Sequence, residues 1–206
     1  MTQCPTTQGP MPAPATVRTC LRTLAAVAVL AAGLSAPARA EPPAEPPGYR
    51  LEPYRAPTPL TVDGVAGVST GEVERLWRAG AVILLDVLPR PPRPAALPAD
   101  TVWRDPPHDS IPGAHWLPNV GFGALDAATT RYFLEGLAAL TAGNRAAPVV
   151  IYCLRDCWMS WNAVKRARAA GYTAVGWYPA GVDGWKEAGL PLVAVEPWHP
   201  ASPEAN

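Results

Sequence analysis

The sequence predicts an α/β protein built on a central, mostly parallel sheet flanked by helices. Three observations carry this. Ala81-Val82-Ile83-Leu84-Leu85-Asp86-Val87 is an almost unbroken apolar run, the pattern of a strand buried on both faces. Val149-Val150-Ile151-Tyr152 repeats it and leads straight into a helical pattern. A third short strand, Val175–Tyr178, follows that helix. Strands alternating with helices give parallel pairing through crossovers.

The elements follow in chain order. Residues 1–40 combine Arg18 and Arg22, an apolar run from Leu24 to Leu34, and the small-x-small end Ala38-Arg39-Ala40. That three-part pattern predicts a secretory signal peptide cleaved after Ala40. The apolar run is short of the ~20 residues a spanning helix needs, so no membrane segment is expected after cleavage. Export places the protein in the periplasm. Cleavage removes three of 17 basic residues and none of the 17 acidic ones, leaving 14 against 17 and a net charge of −3. No basic face or stripe marks a nucleic-acid partner. Cleavage also removes Cys4 and Cys20, so Cys153 and Cys157 are the only thiols left, in an oxidising compartment.

Residues 41–64 form a Pro-rich arm, with seven of the chain's 27 prolines between 41 and 60. It reads either as an extended, polyproline-like segment tacked down by Tyr49, Leu51 and Tyr54, or as a disordered tail. The folded domain is expected over 65–195, with 196–206 as a tail. Ser69 is placed as an N-cap with Glu72 three residues on, Val73, Leu76 and Trp77 line one helix face, and Gly80 closes it. A second Pro-rich stretch, about 89–107, is too long for an ordinary connection and reads as a surface insertion. Ser110 to Pro118 is a turn into a short strand. A helix is expected from Thr130 to Leu140, another from about Ser160 to Ala170, one helical turn around Gly181–Gly189, and a closing strand at Leu192–Val195.

Between strand and helix lies the stretch of greatest chemical interest, Cys153-Leu154-Arg155-Asp156-Cys157-Trp158-Met159. A thiol at a strand end facing a helix start meets backbone N–H groups and the positive end of a helix dipole, which favour its anion. Cys153 is therefore the expected nucleophile, against the alternative of an inert buried cysteine. Arg155, the one cation of the loop, is a candidate for holding an anionic donor, and Asp156, Trp158 and Met159 are the loop's other candidate substrate-binding residues. Asp86, at the end of a buried strand, is a candidate for structural support of the loop. Cys157, four residues from Cys153, has three readings: a resolving thiol, one half of a static disulfide, or half of a metal site to which His115 adds a ligand. No metal and no resident cofactor are assigned. Trp158, Trp161, Trp177 and Trp185 are either core or a flat apolar lip for a partner.

The order Leu84-Leu85-Asp86-Val87, Ile111-Pro112-Gly113-Ala114-His115, the Cys153 loop and Gly181-x-x-x-Trp185 resembles the rhodanese-like domain. Cys153-x-x-x-Cys157-Trp158-Met159-Ser160-Trp161, with Trp116-Leu117-Pro118 and Trp177-Tyr178-Pro179, is similar to the PQQ-dependent catabolism-associated CXXCW motif proteins, with three residues rather than two between the cysteines. The first resemblance implies sulfur transfer through a persulfide on Cys153 and a small sulfur donor. The second implies a setting beside a periplasmic quinoprotein dehydrogenase or transport component, with PQQ entering only by association. The sequence departs from the rhodanese pattern at Leu88, where an arginine is usual, in a loop one residue longer, and in carrying Cys157. Met159 stands where the related phosphatases carry their phosphate-binding arginine. The rival reading is a non-catalytic binding module stiffened by a Cys153–Cys157 disulfide.

Overall fold

The computed structural model describes residues 41–104 and 106–200, with Gly9 in isolation. The expected signal segment, its cleavage point, Cys4, Cys20 and residues 201–206 lie outside the described residues. The elements run β1 (Thr61–Val62), β2 (Val65–Ala66), α1 (Thr70–Arg78), β3 (Ile83–Asp86), β4 (His108–Ser110) and β5 (His115–Trp116). Then come α2 (Ala127–Leu140), β6 (Val149–Tyr152), α3 (Trp158–Ala169), β7 (Val175–Tyr178), α4 (Gly181–Glu187) and β8 (Val193–Val195).

The central sheet has the order β5-β3-β6-β7, and every pairing in it is parallel. Alternation along the strands sorts their side chains between two apolar layers. Leu84, Val150, Tyr152 and Tyr178 pack with Val73 of α1 and Val182 and Trp185 of α4. Leu85, Val149, Ile151 and Trp177 pack with Phe133 and Leu137 of α2 and Trp161 and Val164 of α3. Helices thus cover both faces, which is why the strands read as continuous apolar runs. This is the α/β class expected, a mostly parallel sheet flanked by helices. Among the described residues no helix is long and apolar enough to cross a membrane.

Local chemistry sets the ends of these elements. The Ser69 side chain accepts from the Glu72 N–H at 3.3 Å, the cap expected for α1. α2 begins three residues earlier than expected because Asp126 caps it, accepting from the Thr129 N–H at 2.6 Å. α3 begins at Trp158 rather than near Ser160, since Cys157 itself is the N-cap. The closing strand does not join the central sheet. β8 pairs antiparallel with β4, in the stretch read as leading into a turn, and its Val193 and Ala194 are exposed. A strand with so little to bury is not drawn into the main sheet. The insertion contains neither helix nor strand among its described residues; Arg93 ties it together by donating to the carbonyls of Leu97 (3.1 Å), Pro98 and Thr101 (3.4 Å).

Packing also extends past the expected limits of 65 and 195. Val62 is fully buried. Trp198 donates its backbone N–H to Trp116 O at 2.7 Å, and its carbonyl accepts from the Tyr132 hydroxyl at 2.7 Å. Trp161, Trp177 and Trp185 are fully buried and Trp158 is 3% exposed. The tryptophans are therefore core, and the reading of them as an exposed apolar lip is corrected.

The arm is not a disordered tail between Tyr49 and Pro57. It lies against the start of α3 through hydrogen bonds to its main chain. Of its three expected anchors, Tyr54 is half-buried with its ring edge-on to Phe122 at 5.4 Å. Tyr49 rests on the Arg166 guanidinium at 4.4 Å, while Leu51 is 59% exposed, with its side-chain end beside Gly123.

Candidate active site

In a parallel sheet the loops leaving the strand C-termini share one edge, where sites are built. The cysteine loop leaves β6 there, beside the ends of β3 and β7. Cys153 continues β6 and its carbonyl accepts from the Val182 N–H at 2.9 Å. Leu154 forms a bridge with Gly181, whose φ is 52°. A methyl group on Gly181 would run into the Cys153 carbonyl. Gly181→Ala is therefore expected to cost roughly 1–3 kcal/mol, read as a shift of the urea midpoint; a change within about 0.5 kcal/mol would show that the loop yields freely.

Asp156 takes a left-handed conformation, φ 53°, which an aspartate tolerates better than most residues. That turn folds Cys157 back over Cys153. Their sulfurs stand 2.7 Å apart, beyond the 2.03–2.05 Å of a disulfide, and both cysteines are free. Cys153 is fully buried and Cys157 3% exposed.

The two thiols are not equivalent. Burial, then the neighbouring Cys157 sulfur and the Asp86 carboxylate, push the Cys153 thiol well above the usual range. Cys157 is lowered to about 7, first by its hydrogen bond with Cys153 and, against burial, by the N–H groups of Met159 and Leu154 and the charge of Arg55. The pair shares protons and titrates as a unit. Cys157 is the N-cap of α3, at the positive end of the helix dipole, while Cys153 is fully buried with the Asp86 charge acting against its ionisation. Cys153, the expected nucleophile, is thus the deeper thiol of the pair, and Cys157 the one whose pKa is lowered.

Asp86, the expected support, closes β3 inside a hydrogen-bond network. Fully buried, it accepts from the Ser110 hydroxyl (2.5 Å) and the Leu88 N–H (2.9 Å), and His108 Nε2 lies 2.8 Å from the same carboxylate. Ser110 also shares a hydrogen bond with the Tyr152 hydroxyl at 2.8 Å, and burial holds that phenol well above its usual range. The network locks the end of β3 to the end of β6, one residue before Cys153.

Arg155 does not face the thiols. Its guanidinium is paired with Glu187 through two 2.6 Å bonds, and its N–H donates to Asp183 at 2.9 Å. The reading of Arg155 as an anion-holding residue is corrected: its pairing with Glu187 holds the guanidinium at α4. Arg155→Ala is expected to leave thiol reactivity and the urea midpoint at wild-type values, since both partners are largely exposed; a loss of reactivity would restore it to the site. Trp158 and Met159 are also packed rather than open. The Trp158 indole donates to Pro57 O at 3.1 Å, and a methyl at Gly121 would meet the Met159 Cβ and carbonyl at 2.5 Å. Among the described residues no three His, Cys, Asp or Glu side chains gather to hold a metal, so His115 does not join the cysteines.

Several residues at the site were not legible beforehand. Arg55 lies opposite Cys157 across an antiparallel bridge, flanked by Ala56 N–H to Asp156 O (3.1 Å) and Trp158 N–H to Tyr54 O (2.9 Å). Asn162 grips Arg50 by both backbone groups, accepting from its N–H at 2.8 Å and donating to its carbonyl at 2.9 Å. No local pattern signals that the arm returns to this loop a hundred residues later. Two cavities, of about 350 and 520 Å³, adjoin Arg90, Asn119 and Thr129, and neither cysteine lines them.

No family profile matches the sequence, and no match was found among curated proteins. Among solved structures the chain is similar to the human single-domain sulfurtransferase TSTD1, at 24% identity and a TM-score of 0.39, covering 60% of this chain and 97% of that one. It is similar also to the thiosulfate sulfurtransferase from Pseudomonas aeruginosa, at 20% identity and a TM-score of 0.43, covering 64% of this chain and 20% of that one. The rhodanese-like domain of an Anabaena protein, Alr3790, aligns at 18% identity and a TM-score of 0.41, covering 68% and 94%.

Proposed function

We propose that this is an exported, rhodanese-like thiol protein in which Cys157 is the nucleophile and Cys153 the resolving thiol. The observation that carries the reading is the sulfur pair itself: two thiols 2.7 Å apart, one of them the N-cap of a helix. The Cys157 thiolate attacks one sulfur of a disulfide, forming a mixed disulfide and releasing the other sulfur as a thiolate. Cys153 then attacks the Cys157 sulfur; a Cys153–Cys157 disulfide forms, and the second substrate sulfur departs with the Cys153 proton. The protein dithiol is oxidised and the substrate disulfide reduced, and the reverse sequence delivers a disulfide. With a sulfane donor such as thiosulfate, the same attack puts a persulfide on Cys157 and releases sulfite. Resolution by Cys153 then yields the disulfide and hydrosulfide. The roles are those expected from sequence with the two cysteines exchanged.

The periplasmic setting and a partnership with a quinoprotein dehydrogenase or its transport component are supported by the sequence resemblance; PQQ belongs to the partner. The rival, a non-catalytic module with a stiffened loop, is favoured by one observation, that both sulfurs are covered. Intact mass before and after mild reduction and alkylation separates the two. A readily reduced pair, or a persulfide adduct after thiosulfate, supports thiol chemistry. A pair that resists mild reductant, with function unchanged in the Cys153→Ser, Cys157→Ser double variant, supports the rival.

A further inference from the structure

The segment that covers the dithiol is held in an unusual way. Five hydrogen bonds fasten the arm between Arg50 and Pro57 to residues 156–162, and all of them engage the arm's backbone rather than its side chains. Two come from the antiparallel bridge to 156–158, one from the Trp158 indole to Pro57 O, and two from the Asn162 carboxamide to Arg50. Main-chain contacts accept many sequences, as in recognition by strand addition; the strand-like part of the arm is the single bridge at Arg55, with bends at Glu52, Tyr54 and Ala56 around it. The position they centre on is Arg55. The bonds at 54/158 and 56/156 flank the Arg55–Cys157 pair without joining it. That makes it a non-hydrogen-bonded antiparallel pair, whose Cα atoms lie about 4.5 Å apart with side chains on the same face. A disulfide needs Cα atoms roughly 4.4–6.8 Å apart.

Resting on the thiol-exchange reading above, we infer that the arm occupies the groove of an extended polypeptide substrate whose half-cystine takes the place of Arg55, opposite Cys157. The substrate class is a protein or peptide disulfide in extended conformation. Displacing the arm exposes a Trp158 N–H, an Asp156 carbonyl, an indole N–H and a carboxamide already aimed at a backbone. The substrate strand runs antiparallel to 156–158, and its disulfide sulfur meets the Cys157 thiolate. The mixed disulfide forms there, the distal substrate cysteine leaves as a thiolate, and Cys153 resolves the link. While docked, the arm shields the pair, and Arg55 places a cation at the thiolate.

Two measurements test this. The purified Cys153→Ser, Arg55→Cys variant is oxidised with glutathione disulfide and peptide-mapped by mass spectrometry. A disulfide joining the introduced thiol to Cys157 is expected as the main product; separate glutathione adducts on the two cysteines, with no link, would overturn the register. The second uses Gly123→Ala, because a methyl at Gly123 would run into the Arg50 carbonyl and lift the arm. Reduced wild type and variant are compared against a synthetic extended peptide disulfide and against glutathione disulfide. The peptide rate is expected to rise by about tenfold or more on opening, and by more than the glutathione rate. An equal gain for both makes the arm a simple shield and overturns the substrate class. No exchange with either disulfide in the opened protein would instead sink the thiol-exchange reading itself.

Discussion

Cys157→Ser is expected to abolish alkylation of the reduced protein near neutral pH, whereas Cys153→Ser keeps the reactive site. The reason is the uneven split between the two sulfurs. With its pKa lowered to about 7, Cys157 is about half thiolate at pH 7, against about 1% for a thiol at 9, a difference of roughly 50-fold in nucleophile. The sign follows directly: thiolate grows as pH rises through the pKa, so the iodoacetamide rate rises with a midpoint about 7. Cys153→Ala removes the largest lowering influence, the Cys153 hydrogen bond, and moves the midpoint upward. Opening of the arm enters every rate, so wild type and variants are compared as midpoints as well as rates. Mass spectrometry assigns the label. Modification of Cys153 first, with a midpoint near 7, would return the nucleophile to the strand end where the sequence places it.

The largest stability effect is expected at Asp86. Its carboxylate is fully buried and serves Ser110, His108 and the Leu88 N–H together. Asp86→Ala leaves the buried Ser110 hydroxyl with only Tyr152 and removes the partner of the half-buried His108 ring and Leu88 N–H, at a cost of about 3–5 kcal/mol. Asp86→Asn keeps one carbonyl acceptor but turns an amide toward the others, and should lose less. Urea unfolding of the reduced proteins measures both. A loss below about 1 kcal/mol for alanine would mean that the network fills space without holding β3 to β6. The same variant removes a negative charge near Cys153, so the Cys153 thiol should become easier to ionise.

The sheet was legible because its strands are buried on both faces, and such strands write themselves as apolar runs. Ala81–Val87 and Val149–Tyr152 show this, and Ser69 with Glu72, the apolar face of Val73, Leu76 and Trp77, and Gly80 announced α1. The strand β4 was not legible. His-Asp-Ser carries no apolar alternation, and its place is set by Asp86 and by pairing with β8. Asp86 was found because an acid closing an apolar strand must be satisfied; His108, Ser110 and Tyr152, which satisfy it, left no comparable sign.

At the site, local sequence is enough to place two thiols four residues apart between a buried strand and a helix. Composition and spacing suffice for that, since each is a property of neighbouring residues. Which thiol carries the charge depends on packing between distant parts of the chain. Arg155 turns away to Glu187, Cys153 sinks beside Asp86, and Cys157 takes the helix cap. The arm's return over the loop is set in the same way. Its bonds join residues about a hundred positions apart through backbone groups that every sequence shares.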